Sequence, residues 1–243
     1  FAAFLVGDNE ASFGFLKLKE KTAKELGIDF RVYRFPDDVK NGELREKIGI
    51  ISGHKNCGGA ILQLPLPGHL NPYYALNVIP PAKDIDVIGE RTLGAFYNGR
   101  SVVLPPAVSV LEEILKREKF DLSNKKVAVV GLGFLVGKPI SLWLEGKCAE
   151  IYLLDKGSDF KMLKEADLVV LGVGKSGLID AQDIGRNAAV IDFGYSFDGE
   201  GKIKGDFNPE GADGLIFYTP TPGGTGPILI AELLKNFFIL NEE

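Results

Sequence analysis

Sulfur and imidazole are scarce in this 243-residue sequence, which has two cysteines and two histidines. Cys57 and Cys148 stand far apart without CxxC or Cys/His spacing, so no disulfide framework or zinc site is indicated, and no metal is expected. That usage fits a reducing compartment, the cytoplasm. Long apolar runs are missing too. "VAVVGLGFLVG" and "LVVLGVG" are broken by glycine and fall short of the roughly 20 residues a membrane helix needs, so no membrane partner is expected. The opening "FAAFLVGDNE" lacks the basic region and length of a signal peptide and reads as a strand entering a turn. Positive charge is not in excess: the net charge is −5, which argues against nucleic acid as a partner. Internal repeats and low-complexity segments are absent.

What is present is an alternation. "AAFLVG", a helix from about Ser12 to Leu26 stopped by Gly27, "DFRVYRF", the helix "GELREKIGI" and "GGAILQL" read as strand, helix, strand, helix, strand. "NPYYALNVI" reads as a short helix before the loop "PPAKDIDVIGE". From about Pro105 the pattern restarts with the helix "VSVLEEILKREK" and the runs "KKVAVVG", "EIYLLDK", "ADLVVLGVG", "AAVIDFG" and "GLIFYT". Short leucine-rich or β-branched runs bounded by Gly or Asp are what buried parallel strands look like. The fold class is therefore α/β with two α/β domains, the second a Rossmann-type doubly wound parallel sheet. "PTPGGTGPILIAELLKNFFIL" closes the chain as a Gly/Pro loop and a helix apolar on most sides, which the first domain could cover.

"KVAVVGLGFLVGKP" is a strand followed by Gly131, Gly133 and Gly137, with Pro139 in the first turn of the next helix. Such a turn offers backbone N–H groups and a helix N-terminus to a pyrophosphate, although GxGxxxG spacing also suits a plain tight turn. About 20 residues on, Asp155 ends the next strand, where an acid accepts hydrogen bonds from an adenosine ribose and repels a 2'-phosphate. This favours NAD over NADP, with Lys156 weighing the other way and a strand-end cap as the alternative.

On the first helix Phe15, Leu18, Thr22 and Leu26 follow helical spacing, and Lys19 lies at the edge of that stripe. A lysine there is either a snorkelling surface residue or a functional one. Gln63 closes an apolar strand, at the end where parallel sheets place ligands, and Pro65 and Pro67 stiffen the backbone just beyond it. It could orient an ammonium or satisfy loop backbone. Asp84 and Asp86 in "KDID" could grip a polar heterocycle or cap the loop.

Together these stretches resemble the methylenetetrahydrofolate dehydrogenase/cyclohydrolase family. "LVGDNEAS", "QLPLPGHL", "PAKDID", "VGKP", "VIDFG", "GDF" and "TPTPGGTGP" occur in the family's order at similar intervals. The resemblance implies a folate-binding domain, residues 1–104 completed by the helix 227–243, and a dinucleotide-binding domain, residues 105–226, around a cleft. It implies homodimers through the second domain. It further implies oxidation of 5,10-methylenetetrahydrofolate to the methenyl form with NAD or NADP, then hydrolysis to 10-formyltetrahydrofolate. Lys19 falls at the family's catalytic lysine, held by Gln63, and Asp86 at the acid that grips the pterin. Phe15, Pro222, Gly223 and Gly224 fall at substrate-binding positions, with Gly131, Gly133, Gly137 and Asp155 at the cofactor. Family members usually begin earlier, so a missing start is expected.

The departures are as informative. Phe15 stands where the family has tyrosine, removing any proton relay through that hydroxyl and leaving the hydrolase open. "PPAVSV" replaces a more polar loop. "GLG" replaces the arginine and serine that help bind NADP, and "LLDKG" ends the next strand, both in favour of NAD. A folate- or nucleotide-binding protein without turnover, and a two-domain NAD dehydrogenase for another small substrate, are the rival readings.

Overall fold

The computed structural model describes residues 1–198 and 200–242, except the side chains of residues 10–12. The cap expected of Ser12 thus lies outside the described residues. The chain divides into two compact units, Phe1–Pro106 with Ile230–Glu243, and Ala107–Leu229.

The first unit runs β1 (Ala2–Val6), α1 (Glu10–Glu25), β2 (Arg31–Phe35), α2 (Asn41–Gly53), β3 (Ala60–Leu62), α3 (Pro72–Leu76) and α4 (Glu90–Tyr97). Its three strands are parallel in the order β2-β1-β3, with Phe4 paired to Tyr33 on one side and Leu62 on the other. Central β1 is buried along its whole length, which is why it reads as an unbroken apolar run. The stop of α1 has a clear cause. Gly27 takes φ +77°, its N–H bonds Lys24 O, and the Ile28 N–H reaches back to Ala23 O, a Schellman closure that buries Ile28. α3 is shorter than expected, capped at Asn71 by the Tyr74 N–H. α4 is an addition that no apolar periodicity announced.

The second unit holds α5 (Pro106–Arg117, its first residue in the other unit), β4 (Lys126–Val130), α6 (Gly137–Leu144), β5 (Glu150–Leu154), β6 (Leu168–Leu171), β7 (Ile179–Asp180), β8 (Ala189–Asp192), β9 (Ser196–Phe197), β10 (Ile203–Lys204), β11 (Phe207–Asn208) and β12 (Phe217–Tyr218). Its main sheet is five-stranded and parallel in the order β12-β8-β6-β4-β5. This doubly wound order reverses between β4 and β6, and ligands bind beyond the carboxyl ends of strands at such a reversal. Buried residues of β4, β6 and β8 pack with Leu163, Ile179, Ile184 and Phe207 into the core. The two-residue pairs β9–β10 and β7–β11 are too short to show in sequence.

α7 (Thr225–Ile239) begins in the second unit, and from Ile230 onward it belongs to the first. Ile230, Leu233 and Leu234 join the core around Ala3, Leu5, Leu16 and Ile61. Among the described residues no helix is long and apolar enough to cross a membrane.

Candidate active site

In the first unit, α1 buries Leu16, Lys19 and Ala23, while Leu18 and Leu26 are each 52% exposed. The expected stripe of Phe15, Leu18, Thr22 and Leu26 is therefore corrected by about one residue. Lys19 sits on the inward face rather than at its edge, and snorkelling is excluded at 5% exposure. The physical reason is that Lys19 has something to reach. Its Nζ donates to Gln63 Oε1 at 3.1 Å and lies 4.9 Å from the centroid of the Phe15 ring.

Gln63 follows directly on β3, its N–H bonding Phe4 O on β1. The side-chain Nε2 donates to Leu64 O at 3.0 Å, which leaves the amide oxygen for the lysine. The glutamine at the strand end thus orients an ammonium, and a segment containing a cis Leu64–Pro65 bond follows it.

Asp84 and Asp86 do different things. Asp84 is buried, and its carboxylate accepts the N–H groups of Ile88 and Gly89, the latter at 2.7 Å, and the Thr92 hydroxyl. It is a loop clamp, and the turn it closes holds Val87 at φ +55°, a conformation costly for a β-branched residue. Asn236 adds a second clamp, its amide donating to Ile85 O at 2.9 Å and Leu104 O at 2.8 Å. Between these clamps the half-buried Asp86 feels Lys19. Loss of solvent pushes the Asp86 carboxyl above its ordinary value, with Lys19 opposing and Asp84 reinforcing. Burial likewise holds the Lys19 ammonium below the ordinary lysine value, opposed by Asp86. Lys19, Gln63 and Asp86 are brought together, and sequence reasoning missed their supports. The signal available for Asn236 was a polar residue inside "LLKNFFIL".

In the second unit the three glycines divide by role. A Cβ on Gly137 would stand 1.9 Å from Gly131 O, and one on Gly131 would stand 2.8 Å from Gly172 O. Both are demanded by the turn itself. Gly133 is exposed and would meet only Gly172 O at 3.9 Å, so its bareness serves nothing internal. The first turn of α6 has no side-chain cap, which leaves its N-terminus to backbone and solvent. Asp155 is exposed at the end of β5, accepting the Lys156 N–H at 2.9 Å. A glycine turn at the sheet's reversal, an uncapped helix start and an acid after the next strand fit a dinucleotide. Of the "TPTPGGTGP" loop, Pro222 and Gly223 are exposed, and Gly223 takes φ +98°. At Gly224 a Cβ would stand 2.3 Å from Pro220 O, so its smallness also serves the packing of its own loop. Among the described residues no group of three His, Cys, Asp or Glu side chains is placed to hold a metal.

Family models agree with both halves. The catalytic domain of tetrahydrofolate dehydrogenase/cyclohydrolase matches residues 1–86, and the NAD(P)-binding domain of the same family matches residues 105–243. The chain belongs to the tetrahydrofolate dehydrogenase/cyclohydrolase family. Within it, bifunctional protein FolD of Bdellovibrio bacteriovorus is 35% identical over 243 residues, spanning 98% of this chain and 84% of that one. The crystal structure of the bifunctional FolD dehydrogenase/cyclohydrolase from Campylobacter jejuni has a TM-score of 0.91 at 30% identity, covering 97% of this chain and 85% of that one. The Trypanosoma brucei dehydrogenase-cyclohydrolase, complexed with NADP cofactor and inhibitor, has a TM-score of 0.92 at 26% identity, covering 98% and 85%. The family's NAD(P) requirement thus meets a turn in this chain that fits a dinucleotide.

Proposed function

We propose that this chain oxidises 5,10-methylenetetrahydrofolate to the 5,10-methenyl form with NAD or NADP and, through Lys19, hydrolyses that product to 10-formyltetrahydrofolate. The observation that carries the proposal is a buried lysine donating to Gln63 beside Asp86. A nicotinamide, when bound, would supply the hydride acceptor. For that step the protein has only to position the methylene carbon, because the substrate's nitrogen lone pairs stabilise the cation formed.

Hydrolysis asks for a base. A lysine with a lowered pKa is more often neutral, and a cationic methenyl group nearby lowers it further. Neutral Lys19 takes one proton from water as the new C–O bond forms and returns it to the pterin N5 as the C–N5 bond opens, while the remaining hydroxyl proton leaves to solvent as the formyl C=O forms, so that one proton is released overall. Gln63 fixes Nζ, Phe15 offers a ring face to the aminobenzoate, and Asp86 grips the polar edge of the pterin. In the second unit the turn of Gly131, Gly133 and Gly137 would hold the pyrophosphate, and Asp155 would bond the adenosine ribose and favour NAD. Pro222 and Gly223 line the substrate side, with Gly224 shaping their loop. Two copies pair through the second unit, whose edge strand β5 leaves Leu153 51% exposed; a monomer in sedimentation would reject that pairing.

The test is incubation with 5,10-methylenetetrahydrofolate and either nucleotide, following reduced nicotinamide and methenyl product separately. Reduced nicotinamide without methenyl accumulation is expected, faster with NAD. Equal growth of both signals would remove the hydrolase, and silence in both would leave only a binding protein.

A further inference from the structure

Two buried aspartates of the second unit have no part in the chemistry assigned above. Asp206 has no exposed surface, and its carboxylate accepts three consecutive N–H groups, those of Val173 at 2.6 Å, Gly174 at 3.1 Å and Lys175 at 2.7 Å. Asp192, at the end of β8, is 1% exposed and accepts the N–H of Gly194 at 2.7 Å and of Phe207 at 3.0 Å. Its main chain is held as well: its N–H donates to Thr219 Oγ1, and its carbonyl accepts from Thr225 Oγ1, both at 2.8 Å. The packing leaves no slack. A Cβ on Gly205 would stand 2.0 Å from the Asp192 carboxylate, and one on Gly194 would stand 2.4 Å from the Asp206 carboxyl carbon.

The segment that Asp206 clamps leaves β6 on one side of the sheet's reversal. It is also what the glycine turn leans on, since the space beside Gly131 is filled by Gly172 O and a Val173 methyl, and that beside Gly172 by the Val136 side chain. Asp192 tethers Asp206 through Phe207 and, through Thr219 and Thr225, both ends of the "PTPGG" loop. Buried carboxylates saturated by backbone N–H groups fix chain geometry more firmly than neutral bonds do.

We infer that Asp206 and Asp192 are a positioning pair for the dinucleotide: Asp206 sets the backbone at residues 173–175 that fixes the glycine turn, and Asp192 holds Asp206 and the loop before α7 in register with it. Both carboxylates are buried, so each acts through the backbone it holds rather than by contact with a ligand. The inference rests on the nicotinamide reading given above.

The experiment is fluorescence titration of NAD and NADP into wild-type protein and Asp206→Asn, with KM for each substrate and thermal melting alongside. Asn keeps the shape but turns one acceptor into a donor facing backbone N–H groups. A cooperatively folded variant should bind both nucleotides about tenfold or more weakly, with a raised nucleotide KM and a methylenetetrahydrofolate KM within about twofold of wild type. A folded variant with unchanged nucleotide affinity, or with both KM values rising together, overturns the pair's role. If Asp206→Asn does not fold, amide exchange in the wild type decides: slow exchange at Val173, Gly174 and Lys175, slower still with NAD, supports the pair, and fast exchange overturns it. Wild-type protein that binds neither nucleotide sinks the dinucleotide reading itself, and the pair's role with it.

Discussion

The two units begin from the same topology and equip it differently. Each sheet places its first strand between its second and third, β2-β1-β3 in one unit and β5-β4-β6 in the other. In each, the candidate site lies where the winding reverses. The first unit fills its reversal with ionisable side chains, Lys19 and Asp86, and buries them until each is pushed towards neutrality. The second fills its reversal with glycine and an uncapped helix start, and keeps its buried charge, Asp206, as a clamp on the neighbouring backbone. A group that moves protons needs a tuned pKa, whereas a group that holds a phosphate needs only a fixed donor.

The sharpest break of this comparison is removal of the lysine. Lys19→Met keeps an apolar stem of similar length and should lower hydrolysis of methenyltetrahydrofolate by about 10²–10⁴-fold, the usual range for a general base. Nucleotide affinity, read by fluorescence titration, should be unchanged. Hydrolysis within a few-fold of wild type would take Lys19 out of the mechanism. In wild-type protein hydrolysis should rise with pH as Lys19 loses its proton, on a limb lying below the ordinary lysine range.

The glycines sharpen the other side. Gly137→Ala drives a methyl into Gly131 O and should unfold the turn, costing several kcal/mol on the scale of severe core overpacking, about 3 kcal/mol or more. Gly133→Ala has room and should melt with wild-type protein while binding nucleotide more weakly. Equal melting temperatures for the two variants would mean that the turn yields where its packing says it cannot.

A smaller effect separates the charges by pH. Burial raises the Asp192 carboxyl to about 6, with the Phe207 and Gly194 N–H groups opposing and Asp206 adding to the rise. Between the unfolded value near 4 and about 6 the folded protein binds more protons than the unfolded chain, so this group's contribution to stability rises as pH falls through that window. Against Asp192→Ala, wild-type stability from denaturant melts should gain about 2–3 kcal/mol between pH 7 and pH 4. A flat difference would mean that Asp192 is ionised throughout.

How much of this was legible depends on which atoms do the work. Apolar runs such as "VAVV" and "LVVL" announced the central strands, because strands buried on both faces leave no polar alternation. Gln63 was singled out by its place at the end of a strand, and Lys19 and Asp86 by the family resemblance of the motifs that hold them. Their surroundings were not. The inward face of α1 is Leu16, Lys19 and Ala23, and periodicity assigned it to residues one position away, because a buried lysine counts as polar in any hydrophobic pattern. Asn236, Asp192 and Asp206 act on backbone groups far along the chain, Asn236 on a carbonyl 151 positions away, and no local pattern encodes such partners. Nor did the sequence show that Gly224 is packed closely within its own loop.

The finest discrimination concerns Asp155, where the two units' styles meet: a charged side chain placed among backbone donors. Its carboxylate accepts the Lys156 N–H, and its own N–H donates to Ser158 Oγ at 2.9 Å, so the turn holds the acid at the end of β5 without burying it. On the proposed reading the exposed carboxylate would select by repulsion as much as by bonding, since a 2'-phosphate there would meet like charge, with Lys156 beside it offsetting part of that field. Asp155→Ser removes the repulsion and keeps a hydroxyl for the ribose. NAD should bind a few-fold to about tenfold more weakly and NADP more tightly, so that the ratio of kcat/KM values moves towards NADP by about 1–2 kcal/mol in total. If both nucleotides weaken equally, Asp155 merely shapes the turn, and the chain's choice between them lies in the backbone of "GLG".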